Sequence, residues 1–169
     1  MKGYKVLTAD MKSPFDNKTE WTLGKITSIA KDKKLRIIGY GLHLYKSLKN
    51  VSIGKFGCRV FEAEIVGEYI EDKNKFCAYE IKLIKELNPE EVTDSKWVYE
   101  YCITVKDDPK VRKNITCSEY AYLYCQYIKD DPKVRKYITD SFWAYEYCIT
   151  VKDDPKVRKY ITNGAILSF

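Results

Sequence analysis

Apolar positions along this chain follow two periods, and the change between them falls near residue 89. Before it the pattern alternates. In Arg59–Val66 the residues Phe61, Ala63 and Ile65 share one face, and in Cys77–Leu83 so do Cys77, Tyr79, Ile81 and Leu83. These runs predict an antiparallel pair joined by a charged connection from Gly67 to Lys75. Tyr4–Leu7 and Leu35–Ile38 predict two further strands, and Gly39-Tyr40-Gly41 a turn into a short segment ending at Tyr45. Asn88-Pro89-Glu90-Glu91 marks the junction.

After residue 93 the period becomes helical. Trp97, Val98, Tyr101, Cys102 and Val105 form one broad helical face, and the segment that carries them recurs without gaps as 94–116, 117–139 and 140–162. The first and third copies agree at 20 of 23 positions, so the array arose by duplication. Each copy predicts two short helices. Ser95, Ser118 and Ser141 are the expected N-caps of the first, with Asp108, Asp131 and Asp154 capping the second. Pro109, Pro132 and Pro155 stand where the missing N–H costs nothing. Helices this short are marginal alone, so the expected arrangement is a stack in which each hairpin buries its aromatic face on the next. The aromatic columns are Trp97/Tyr120/Trp143, Tyr99/Tyr122/Tyr145 and Tyr101/Tyr124/Tyr147. The predicted fold class is therefore α+β. A small antiparallel β-rich module spans 1–88, and an α-helical solenoid of three 23-residue hairpins spans 89–169. The tail after Asn163-Gly164 is expected to cap the last hairpin.

Composition narrows the chemistry. No stretch is apolar enough to span a membrane, and the opening Met1-Lys2-Gly3-Tyr4-Lys5 lacks the features of a secretory leader, which predicts a cytoplasmic protein. The six cysteines (Cys58, Cys77, Cys102, Cys117, Cys125 and Cys148) form no CxxC pair, which argues for reduced thiols and against zinc. At about 8–10 Å between stacked helices, the column Cys102/Cys125/Cys148 is too widely spaced for disulfides or a shared metal. The net charge of +6 is spread over both halves and permits an acidic partner without demanding one.

Two features suggest a contact surface. A tyrosine column that the core does not need would present large contact area at low entropic cost, and Tyr99, Tyr122 and Tyr145 are the candidates. Lys110, Arg112, Lys133, Arg135, Lys156 and Arg158 form a ladder that could follow phosphates, although the paired aspartates before each proline make a solvated charged face the simpler reading. His43, the single histidine, is the one side chain that ordinarily titrates near neutrality. A structural hydrogen bond is the simpler role for it, since neither a nucleophile elbow, nor a phosphate loop, nor HExxH is present. No cofactor or metal is expected.

The opening Met1–Lys5, Trp21-Thr-Leu-Gly24, Gly41-Leu42-His43 and Phe61-Glu-Ala-Glu-Ile-Val-Gly67 resemble an uncharacterised domain family of bacteriophages and their bacterial hosts, over about residues 1–87. Members often continue into short helical repeats rich in Trp/Ala-Tyr pairs. Tyr45 stands where the family commonly has Cys. The resemblance implies a phage or mobile-element source. Together these features predict a non-enzymatic interaction protein, one form being an inhibitor of a bacterial defence system, with a protein partner. The alternatives are RNA or DNA binding through the ladder, and a nucleotide-using transferase in the first module with Tyr4, His43 and Glu62 or Glu64.

Overall fold

The structure, a computed structural model, describes residues 1–51, 53 and 59–162. The chain divides into two compact units, Met1–Asn88 and Pro89–Phe169. Antiparallel strands make up the first and short helices the second, so the class is α+β.

The first unit contains β1 (Lys2–Leu7), β2 (Ile26–Ser28), β3 (Leu42–Tyr45), β4 (Arg59–Glu71) and β5 (Lys75–Glu86). Strand β5 is the hub. One edge pairs with β4 from Phe61↔Glu86 to Glu71↔Phe76, and the other takes β3 at Leu42↔Ala78 and then β2 at Ile26↔Lys82. Because β1 lies between β3 and β4, the sheet closes on itself. Its core contains Leu7, Trp21, Leu42, Leu44, Phe61, Ala63, Ile65, Phe76, Ala78, Ile81 and Leu83. The alternation in β4 is thus the burial pattern, with Phe61, Ala63 and Ile65 all inside.

Two expectations change here. The segment from Gly67 to Lys75 is not a connection: β4 continues to Glu71, and the turn is confined to Asp72–Asn74, where Asp72 Oδ1 accepts from the N–H groups of Asn74 and Lys75 at 2.7 and 2.6 Å. Gly67, at φ +79°, lies in the register shift between Val66 and Tyr69, and of the β4 residues beyond it Glu68, Tyr69 and Glu71 are exposed, so that end of the strand is largely solvated. Nor is Leu35–Ile38 a strand. Its Arg36 carbonyl is committed to side chains, accepting from Cys77 Sγ at 3.4 Å and bonding His43 Nε2 at 3.2 Å, and Ile38 points outward.

The second unit contains α1 (Ser95–Thr104), α2 (Pro109–Arg112), α3 (Ser118–Tyr127), α4 (Pro132–Arg135), α5 (Ser141–Thr150) and α6 (Pro155–Arg158). Each ten-residue helix packs on its own four-residue partner, and α3 packs on both α1 and α5. The second helices start as predicted, with Asp108, Asp131 and Asp154 accepting from the N–H of Lys110, Lys133 and Lys156. The first helices differ. Asp94 and Asp140 are the N-caps, accepting from Trp97 and from Phe142 and Trp143, while Cys117 holds that position in the middle copy with no side-chain bond. The serines sit one residue inside and have another task. Ser118 Oγ accepts from the N–H of Thr139 and Asp140 and donates to the Tyr137 carbonyl, which ties the end of each copy to its beginning. Ser95 and Ser141 accept equivalent bonds from Thr116 and Thr162. The predicted capping tail and Cys58 lie outside the described residues.

Candidate functional site

The recurring Lys-Asp-Asp-Pro-Lys-Val-Arg-Lys run supplies a clamp between copies. Arg112 extends back to Asp107, with Nη1 3.0 Å from each carboxylate oxygen, and its Nε reaches forward to Asp131 of the next copy at 2.9 Å. Tyr124, also in the next copy, donates its hydroxyl to Asp107 at 2.9 Å. One copy further on, Arg135 joins Asp130 at 2.5 Å to Asp154 at 3.4 Å, and Tyr147 donates to Asp130 at 3.0 Å. Burial alone would raise the Asp107 carboxyl. The bonds from Tyr124 and Arg112 outweigh it and hold the group below the usual carboxylate range. The same burial, with the bond to Asp107, pushes the Tyr124 phenol above its usual value.

This geometry separates the ladder into two kinds of residue. The Arg112 and Arg135 side chains are only 14% and 15% exposed and are committed between copies. Arg158, at 55% exposure, bonds only Asp153 with its side chain among the described residues. Lys110, Lys133 and Lys156 remain exposed, with Lys110 3.5 Å from Glu90.

The Tyr99/Tyr122/Tyr145 column is not one open surface. Tyr122 is buried, stacked on Trp143 of the next copy at 5.4 Å, and Tyr99 lies 5.9 Å from Tyr120 of the next copy. Aromatic contacts therefore run diagonally, from the second column of one copy to the first column of the next. Tyr99 and Tyr145 are half-buried. What solvent meets instead lies at the far ends of the long helices: Ile103 at 46% exposure, Tyr127 at 62% and Ile149 at 59%. These three were not legible as a surface, since Ile103 and Ile149 read as ordinary members of an apolar run.

In the column of Cys102, Cys125 and Cys148, the first two are buried and all three are free. Burial first, with the nearby aspartates, pushes Cys102 and Cys125 up to about 12, which makes them poor nucleophiles. Among the described residues, no His/Cys/Asp/Glu group is placed to hold a metal, and no helix is long and apolar enough to cross a membrane.

In the first unit His43 is half-buried, and desolvation first, then the charges of Lys5 and Lys75, lowers its pKa below the ordinary value. Its Nε2 bonds the Arg36 carbonyl that Cys77 also holds, so the pair secures the loop Arg36–Gly41. Gly41 is needed there: its φ is +143°, and a Cβ would stand 2.0 Å from Cys77 Sγ. The loop walls a cavity of about 490 Å³ that is also lined by Lys5, Asp16, His43 and Lys75. Tyr4, Glu62 and Glu64 do not line it. Tyr4 lies opposite Tyr45 and Glu62 in the sheet, and Glu64 opposite Lys2. Of the residues named for a transferase, His43 alone lines the cavity. Lys5 was missed, although a lysine at a core-facing strand position between Gly3 and Leu7 is itself a signal.

No curated protein and no solved structure matches the chain. Residues 1–95, more than half of its length, match the model of a domain of unknown function (DUF7666), and the chain belongs to that family.

Proposed function

We propose that the chain is a non-enzymatic interaction protein whose three hairpins stack as a short solenoid and bind a protein partner at the ends of the long helices. One observation carries this reading. The arginines and aspartates of the repeated run are spent on each other between copies, while Ile103, Tyr127 and Ile149 meet solvent at or beside equivalent positions. Apolar residues that recur outward on an otherwise charged array suit a protein surface, because their burial is favourable only against another apolar face. The lysines that remain exposed support nucleic-acid binding less well, having lost Arg112 and Arg135 as bidentate phosphate ligands. The resemblance in residues 1–87 supports a phage setting, and inhibition of a bacterial defence system is one form the interaction would take.

The test is capture from nuclease-treated bacterial lysate by the full chain and by an Ile103→Glu/Ile149→Glu variant. The reading expects a protein retained by the first and lost by the second, with little dependence on salt. Equal capture by both, or capture that disappears with nuclease, would overturn it.

A further inference from the structure

Lys5 is the anomaly of the first unit. It lies on β1, faces the core side opposite Phe61, and is 9% exposed. Buried ammonium groups are ordinarily paired, because removal from water is unfavourable. Among the described residues the Lys5 ammonium forms no hydrogen bond or ion pair. Its Nζ stands 4.7 Å from the centroid of the Trp21 ring, and that ring is fixed by a 2.8 Å bond from Nε1 to Ser13 Oγ. Asp16 attracts it, but that carboxylate already accepts from the N–H of Lys18 and Thr19 and from the Thr19 hydroxyl.

The amine lines the cavity of about 490 Å³, a volume typical of small-molecule sites. Most of the remaining wall is apolar, with Val6, Phe15, Ile29, Ile37 and Leu42 contributing. Besides the phenols of Tyr40 and Tyr45, the ionisable lining is Lys5, Lys75 and His43 against Asp16. Lys75 is drawn over the Tyr45 ring at 5.0 Å. A neutral apolar ligand would fill the wall yet leave the ammonium unpaired, and an inorganic anion would satisfy the ammonium yet leave the wall wet. We propose that this cavity binds a small organic carboxylate with an apolar body, its carboxylate on Lys5 and its hydrocarbon against Val6, Ile29, Ile37 and Leu42. Desolvation, which holds Lys5 at about 8, still leaves the group mostly protonated at neutral pH, as a counter-ion for a carboxylate must be.

The experiment titrates the full chain with phenylacetate and hexanoate, their neutral amides, and inorganic phosphate, following amide and Lys 15Nζ resonances by NMR. At least one carboxylate is expected to shift residues 5, 16, 29, 37 and 42 and the Lys5 15Nζ signal. Its amide should bind about 10–100-fold more weakly, the span of one charge-assisted hydrogen bond. In Lys5→Met the carboxylate should fall to the affinity of its amide. Should that variant not fold, the wild-type 15Nζ signal decides the matter by itself. Absence of binding, equal affinity for acid and amide, or preference for phosphate would each overturn the assignment.

Discussion

Replacing Arg135 and Arg158 by alanine applies one chemical change at two equivalent sequence positions with different surroundings. At Arg135 the loss strips Asp130 and Asp154 of their shared cation in a site where all three side chains are less than a third exposed. Hydrogen bonds to charged groups contribute about 1.5–3 kcal/mol each. The carboxylates keep other partners, since Asp130 still accepts from Tyr147 and Asp154 from the Lys156 N–H. An overall loss of about 2 kcal/mol follows for Arg135→Ala. At Arg158 the pair with Asp153 is more than half exposed, and such pairs contribute roughly 0–1 kcal/mol. The assay is urea unfolding followed by near-UV circular dichroism, in which the aromatic repeats dominate the signal. In a domain of this size about 2 kcal/mol also lowers Tm by roughly 8–16 °C. Equal losses at the two positions would refute the claim that the repeated run acts between copies.

Three further outcomes follow from the same structure. Burial holds Lys5 at about 8 against an ordinary 10.5, with Asp16 opposing the shift and Lys75 adding to it, so the folded state binds fewer protons than the unfolded state between those values. Stability should therefore rise with pH across that window, by up to roughly 3 kcal/mol at about 1.4 kcal/mol per pH unit. Urea titrations at pH 7 and 9.5 should show the rise in the wild type, over and above whatever rise Lys5→Met retains. Gly41→Ala should destabilise by roughly 3 kcal/mol, combining a disfavoured φ with the clash at Cys77 Sγ, and Cys77→Ala should restore only part of it in a melting assay. Finally, a thiol reagent at pH 8 should label exposed Cys117 in the native protein and reach Cys102 and Cys125 only after denaturant is added, as mass spectrometry of peptides would show.

Legibility of the fold tracked how local each determinant is. The alternation of Phe61, Ala63 and Ile65, and the Asp-Pro starts of the short helices, are set within a few residues and could be read directly. Strand β2 could not, because its three residues are half-exposed or exposed and pair only with β5, far along the chain. Leu35–Ile38 carries strand composition, yet its Arg36 carbonyl is taken by His43 and Cys77, partners that only the closed sheet brings near. The same limit applied to the sites. The two aspartates of each repeated run read as neutralisers of the ladder, whereas Asp107 and Asp130, the first of the pair in the first two runs, each receive a tyrosine from the next copy, a contact across 17 positions. The arginines read as available for a partner because their second aspartate, Asp131 or Asp154, belongs to the following copy. His43 was visible as a single histidine, but the cavity beside it needs β1, β3 and the Arg36–Gly41 loop together.

Photo-crosslinking tests the central claim most directly, with benzoylphenylalanine placed at Tyr127 in one full-length chain and at Lys133 in another. Both positions are exposed and belong to the same copy, so they differ in which surface they sample. The account predicts a nuclease-resistant protein adduct at Tyr127 that is abolished by Ile103→Glu/Ile149→Glu. A nucleic-acid adduct confined to Lys133, or no adduct at Tyr127 under conditions where the chain is active, would contradict it.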